Sequence, residues 1–361
     1  MEKKGRVLMA MSGGVDSSVA AILLHRQGYE IIGITMKTWD YASSGGSKKE
    51  TGCCSLDSIN DARNLAVRLG FPHYVLDLRK EFEDLIISDF ISEYLSGRTP
   101  NPCVLCNKFV KWDALLKKAD LLNCDYIATG HYASLRFENN RYIISKGIDE
   151  FKDQSYVLWG LSQENLKRTI FSLGEFKKSE IKKMAHDNDF ENLAKKSESY
   201  EICFIPDNDY RGFLDRRVEG LKEKFAGGEF LSVDGKVLGQ HKGFPFYTIG
   251  QRKGLEIALG EPMYVKEIKQ DTNSVVLGRK SDLNRRSMQV DKINLIKYPS
   301  IDKPIRVLTK IRYHDKGTVG LLSYNEGIIT IDFEEDVSAI APGQSAVFYE
   351  GNDVVGGGLI L

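Results

Sequence analysis

Apolar and polar positions follow two alternating periodicities in the first half of this chain and mainly one in the second half. Short apolar runs at Arg6–Met11, Glu30–Met36, His73–Leu78 and Cys124–Thr129 have the length and composition of buried strands. Between them, helical spacing predicts helices over Ser17–Gln27, Asp57–Leu69 (closed by Gly70), Phe82–Leu95 and Lys108–Leu122. Strands alternating with helices imply a parallel sheet covered on both faces. Arg136–Ser145, centred on Asn139-Asn140, predicts a hairpin added to that layer, and further helices are expected at Gln163–Thr169 and Ser179–Asn188.

The pattern changes after about Pro206. Hairpins are predicted around Asp234-Gly235, within Gly227–His241, and around Thr272-Asn273, within Tyr264–Gly278. From Ser287 to Leu361 nearly every segment reads as a short strand between turn residues, which predicts a small β-barrel. The expected fold is therefore α/β, with domains over 1–206, 207–281 and 282–361. The Ser-, Gly- and Lys-rich stretch Ala42–Lys49 is expected to be a mobile loop near the nucleotide edge.

Composition narrows the class only a little. Lys+Arg and Asp+Glu both number 50, so no net charge attracts nucleic acid, although a local basic face remains compatible with that total. No run approaches the roughly 18 apolar residues of a membrane span. Met1–Gly5 leads directly into a strand pattern without a signal-peptide core, so a cytoplasmic protein with no membrane partner is expected. Six cysteines in 361 residues do not make a disulfide scaffold; any pair that matters is expected to be catalytic, redox-active or metal-binding.

The densest chemistry lies in Ala10-Met11-Ser12-Gly13-Gly14-Val15-Asp16-Ser17-Ser18, after a strand and at the opening of a helix. Backbone N–H groups at such a turn bind anions, and two glycines let the chain approach phosphate oxygens closely. Ser12, Ser17 and Ser18 add hydroxyl donors, and Asp16 is a candidate Mg²⁺ ligand. No Gly-Lys-Ser/Thr follows, so this is not a Walker A loop. The string resembles the PP-loop of the ATP pyrophosphatases, which cleave ATP between the α- and β-phosphates. Met36 and Gly130-His131 follow other strands and fall at the same sheet edge.

Two further segments carry cysteines. In Gly97-Arg98-Thr99-Pro100-Asn101-Pro102-Cys103-Val104-Leu105-Cys106-Asn107-Lys108, prolines stiffen the approach and Cys106 lies where a helix is expected to begin. A helix N-terminus and Lys108 would both favour its thiolate. Cys203, in Glu201-Ile202-Cys203-Phe204-Ile205-Pro206, fits either a reactive thiol or a short buried strand.

These segments occur in one order with Thr129-Gly130-His131-Tyr132, Lys152-Asp153-Gln154-Ser155-Tyr156 and Thr248-Ile249-Gly250-Gln251-Arg252-Lys253-Gly254. Together they resemble the bacterial tRNA-specific 2-thiouridylase family (MnmA) over nearly the whole chain. The resemblance implies an N-terminal PP-loop (adenine nucleotide alpha hydrolase-like) sheet, a small central tRNA-binding domain and a C-terminal barrel. It implies that ATP, with Mg²⁺, adenylates O2 of the wobble uridine in the anticodon arm of tRNA. Persulfide sulfur from a cysteine desulfurase or sulfur-relay protein then replaces that oxygen. Carried over by position, Ala10, Met11, Ser12, Gly13, Gly14, Val15, Asp16, Ser17, Met36 and Gly130 would bind ATP. Cys106 would be the nucleophile and Cys203 the persulfide carrier, and the two would form a disulfide as sulfur leaves. Asn101, Pro102 and Cys103 would approach the target base. His131, Lys152, Asp153, Gln154, Arg312, Tyr313 and Gln344 would contact tRNA.

One position departs from the family pattern. Many members carry Asp where this chain has Cys103, and Cys103 is a candidate substitute base. Cys103, Cys106 and Cys203 are also a candidate thiolate set for an iron–sulfur cluster with one open iron. Cys53-Cys54 and Cys124 read as structural, and His25, His73, His186, His241 and His314 lack ligand spacing. Lys177-Lys178 and Lys182-Lys183 read either as a solvated helix face or as phosphate contacts.

Overall fold

The computed structural model describes residues 4–39, 55–188, 190, 202–257 and 260–361. The Ala42–Lys49 loop, Cys53-Cys54 and Glu201 lie outside them. The chain forms two units. One comprises Met1–Ile86, Cys103–Asn208 and Asn352–Val354; the other comprises Ile87–Pro102, Asp209–Gly351 and Val355–Leu361.

The first unit is built on five parallel strands: β1 (Arg6–Ala10), β2 (Glu30–Lys37), β3 (His73–Asp77), β4 (Tyr126–Thr129) and β7 (Thr169–Phe171), in the order β3-β2-β1-β4-β7. Continuous apolar runs mark β1, β2 and β4 because both sheet faces are covered. Helices α1 (Val15–Arg26), α2 (Leu56–Leu69), α3 (Asp113–Leu121) and α4 (Lys178–Asp187) belong to this unit. Val7 and Met9 of β1 pack in one cluster with Val19 and Ile22 of α1, Leu65 of α2 and Ile181 of α4. Strand order reverses at β1, which has β2 on one side and β4 on the other. The crevice beyond the carboxyl ends of β1 and β4 is where ligands of such sheets bind.

Two expectations change here. The segment Gln163–Thr169 is helical only over Gln163–Lys167, capped by Ser162, and then becomes strand β7. A three-residue strand carries too little periodicity to be read. The hairpin of β5 (Ala133–Glu138) and β6 (Arg141–Lys146) does form, with Asn139 and Asn140 at φ 51° and 59° as its tight turn requires. It does not join the parallel sheet; Ser145 pairs instead with Asp353.

The second unit holds a four-stranded sheet and a barrel. In the sheet, β8 (Gly228–Leu231) and β9 (Val237–His241) form one predicted hairpin, and β10 (Tyr264–Lys269) and β11 (Ser274–Gly278) form the other. Parallel pairing of β8 with β11 joins them. The barrel uses β12 (Asn284–Leu295), β13 (Ile305–Lys310), β14 (Thr318–Asn325), β15 (Ile328–Ser338), β16 (Ser345–Glu350) and β17 (Asp353–Ile360). Pairing of β12 with β17 closes it. Inward residues such as Val290, Leu322, Ile331, Phe348 and Val355 are fully buried, as alternation on a closed sheet requires.

Candidate active site

The loop after β1 turns because Gly13 adopts φ +67°, and a Cβ there would lie 2.0 Å from the Ser58 carbonyl oxygen. No other residue type fits that packing against α2. Gly14 caps α1 without a side-chain hydrogen bond, so the N-cap residue satisfies none of the first N–H groups of this twelve-residue helix. Ser12 and Ser17 tie the loop together: the Ser12 N–H donates to Ser17 Oγ at 3.1 Å, the two hydroxyls lie 3.2 Å apart, and Ser17 Oγ donates to the Gly14 carbonyl. Ser18 is buried, and its Oγ has no partner among the described residues. Uncapped donors and a glycine cradle make this turn fit a phosphate chain.

Gly130, at the end of β4, approaches the same turn. A Cβ on it would lie 2.7 Å from Ser17 N. The loops from the two strands at the switch point are therefore in direct contact, as their sequence positions implied.

Asp16 is engaged on both oxygens. Lys178 Nζ lies 2.7 Å from each, and the Tyr132 hydroxyl donates to Oδ1 at 2.7 Å. Of the two sequence readings of Lys178, a solvated helix face or a phosphate contact, the first does not hold, because the residue is 8% exposed. The signal was present in the spacing: Lys178, Ile181 and Ala185 share one face of α4, and all three are buried. Mg²⁺ would be held at Asp16 only in competition with this ion pair.

His131 and its neighbours form a second cluster. Its Nδ1 lies 2.8 Å from Thr129 Oγ1, and its ring packs beside Trp112 and Phe171. Burial, and secondarily Lys111, hold His131 well below its ordinary pKa, so it is neutral and offers no charge to a phosphate. Lys152 is half-buried, and the two residues that follow it make hydrogen bonds within the protein. Asp153 accepts from the N–H groups of Gly147 and Ser155 and from Ser155 Oγ, while Gln154 Oε1 accepts from Tyr132 N. Gln154 thus braces Tyr132, while Asp153 ties Gly147 to Ser155.

The cysteines differ in setting. The helical run opens at Pro102, where a missing N–H costs nothing, and Cys106 is its fifth residue. Cys106 therefore does not face the N-terminal donors, contrary to expectation. It is buried and begins a π-helical stretch, Cys106–Trp112, of the kind often found at functional sites. Cys203 lies on a tight turn closed by Ile205 N–H donating to the Ile202 carbonyl, not in a strand. Its own residue is exposed, while Phe204 is 2% exposed and packs on Trp39 and Phe82. Cys103 touches solvent yet is crowded by protein on its other sides. That burial pushes its thiol up, and Lys111 offsets it only in part.

Cys103, Cys106, Cys124 and Cys203 are reduced. Among the described residues no group of three or more His, Cys, Asp or Glu is arranged to hold a metal ion, so Cys103, Cys106 and Cys203 do not fit an iron–sulfur cluster in this structure. Among the same residues no helix is long and apolar enough to cross a membrane.

In the second unit, Gln344 Nε2 donates to the carbonyls of Thr99 and Pro100, at 3.1 and 2.8 Å. It holds the segment that leads to Asn101, Pro102 and Cys103. Arg312 is exposed and donates to the Ser338 carbonyl, and Tyr313 stacks edge-on against His314.

Three family models match successive stretches of the chain. Residues 5–207 match the family model described as tRNA methyl transferase HUP domain, 212–279 the tRNA methyl transferase PRC-barrel domain, and 285–360 the aminomethyltransferase beta-barrel domain. The chain is 63% identical over 362 residues to the tRNA-specific 2-thiouridylase MnmA of Cytophaga hutchinsonii, covering 100% of this chain and 98% of that one. It is 64% identical over 359 residues to that of Amoebophilus asiaticus, covering 99% and 96%. For that of Salinibacter ruber the identity is 56% over 365 residues, covering 100% and 95%. With relatives this similar over their full length, and with the phosphate loop and cysteines in place, the chain belongs to the tRNA-specific 2-thiouridylase (MnmA) family.

Proposed function

We propose that this chain is an ATP-dependent tRNA-uridine 2-sulfurtransferase. The observation that carries the reading is that one unit holds both an uncapped phosphate cradle at the switch point and two reduced cysteines of opposite exposure. The cradle residues Ser12–Ser17, with Gly130 behind them, bind and orient the β- and γ-phosphates of ATP. Asp16 would hold Mg²⁺ in exchange for part of its pairing with Lys178, and the metal would supply charge neutralisation for the departing pyrophosphate. An amide-like O2 is a poor leaving group, and its transfer to the α-phosphate converts it into AMP, a good one.

Cys203 carries the incoming sulfur as a persulfide, and its exposed turn makes it reachable by a donor protein. The terminal sulfur forms a bond to C2 of the uridine as AMP leaves. The Cys106 thiolate then attacks the Cys203 sulfur, breaking the S–S bond and leaving the terminal sulfur on the base. A Cys106–Cys203 disulfide remains, and two electrons from an external thiol reset it. Anchoring of Phe204 and Ile205 in the core fixes one end of the Cys203 turn while leaving the thiol exposed.

For tRNA, an exposed aromatic beside a cation suits an unstacked base and its phosphate. Phe151 is 92% exposed and precedes Lys152. His131, Arg312, Tyr313 and Asn101–Cys103 complete the proposed contacts. The reading is tested by pyrophosphate release from ATP with and without tRNA: release should require tRNA. Release driven by a small molecule alone would instead indicate another PP-loop ligase.

A further inference from the structure

The phosphate loop has a charge problem. From Ala10 to Ser18 its only ionisable side chain is Asp16, so the segment that must hold a polyanion carries a formal charge of −1. A Walker A loop solves this with its own lysine; this loop has none. Lys178, 162 residues away, places its ammonium 2.7 Å from both Asp16 oxygens. Its position is built rather than incidental. It starts α4, its backbone N–H donates to Asp149 Oδ2 at 2.9 Å, and its side chain is 11% exposed. Tyr132 lies beside it, with the ammonium 5.8 Å from the ring centre, and bonds the same carboxylate. Burying the lysine of an ion pair seldom gains stability over apolar packing, and here the carboxylate stays a third exposed at the mouth of an anion cradle, so the lysine's placement calls for another explanation.

We propose that Lys178 is the phosphate-side cation of this loop, taking by tertiary contact the role a Walker lysine plays within the sequence. It pairs with Asp16 and supplies positive charge to the pyrophosphate portion of the nucleotide. The inference rests on reading the loop as the nucleotide site. A merely structural Lys178 would neutralise Asp16 and do nothing more, and the two roles differ in what happens when both charges are removed.

The experiment measures binding of inorganic pyrophosphate by isothermal titration, in EDTA so that no metal bridges it. The proteins are wild type, Lys178→Met, Asp16→Asn and the double variant, each also checked for its thermal unfolding. Lys178→Met should weaken binding tenfold or more. Asp16→Asn should bind as well as wild type or better, because a competing anion is gone. The double variant, which leaves neither charge of the pair unpartnered, should stay as weak as Lys178→Met. Recovery of wild-type affinity in the double variant overturns the proposal, since neutralising Asp16 would then be all that Lys178 does. Wild type that binds magnesium–ATP but not free pyrophosphate also overturns it. Wild type that binds neither overturns the nucleotide reading itself.

Discussion

Gly130→Ala offers a clean perturbation of the phosphate loop from outside it. Gly130 does not adopt a positive φ, so alanine meets no torsional penalty and its effect is steric. The added Cβ would lie 2.7 Å from Ser17 N and 3.0 Å from both Asp16 C and Ser17 Cα. These are backbone atoms that cannot swing aside, and the separation is short of the ~3.5 Å contact minimum by the better part of an ångström. Overpacking of this kind costs about 1–3 kcal/mol. If relief comes by moving the start of α1 away from the phosphates, affinity for ATP should fall about 5- to 150-fold. Gly70→Ala is the control: Gly70 has φ +76° with nothing within 4 Å of its Cβ, so it should lose about 1 kcal/mol of stability and no ATP affinity. Titration of magnesium–ATP, with urea unfolding of each variant, separates a displaced loop from an unfolded chain. Wild-type ATP affinity in a folded Gly130→Ala would refute the placement of the nucleotide between these loops.

Two further outcomes test other parts of the molecule. Gln344→Ala removes both hydrogen bonds that fix Thr99 and Pro100, worth about 1–3 kcal/mol together, and should lower kcat/KM for tRNA thiolation roughly tenfold while leaving ATP affinity unchanged. His241 is buried against Phe230 and Tyr247, and burial lowers its pKa from 6.5 to about 4, with a small opposing effect from Asn273. The unfolded chain binds that proton more readily, so the contribution is fully present above pH ~6.5 and is lost as pH falls toward 4, at roughly 1.4 kcal/mol per unit. Urea unfolding of wild type should show this decline, and His241→Asn should flatten it; equal slopes would remove His241 as the cause.

The fold was legible wherever burial imposed a period. Runs at β1, β2 and β4 stood out because both faces are covered, and Asn139-Asn140 marked a hairpin because its turn demands left-handed backbone. Strand β7 was too short to show a period. Strings of special residues revealed the phosphate loop, but its electrostatics were not local. Lys178 reaches Asp16 through the packing of α4 on α1, and only the spacing with Ile181 and Ala185 hinted that it was inside. The cysteine environments were read least well. Proline at position 102 starts the helix four residues before Cys106, and Cys203 sits on a turn because Phe204 and Ile205 are both buried beside it. Lys111 is the cation near both Cys103 and His131, two segments that no local pattern links.

The most direct test of the central claim is sulfuration of tRNA in vitro with ATP and a persulfide donor, read by mass spectrometry of the nucleosides alongside pyrophosphate release. Wild type, Cys103→Ala, Cys106→Ala and Cys203→Ala are compared. Wild type should form 2-thiouridine with release of pyrophosphate. Cys106→Ala and Cys203→Ala should form none while still binding ATP, and Cys103→Ala should retain part of the activity. Full thiolation by either Cys106→Ala or Cys203→Ala would contradict the assignment of sulfur transfer to this pair.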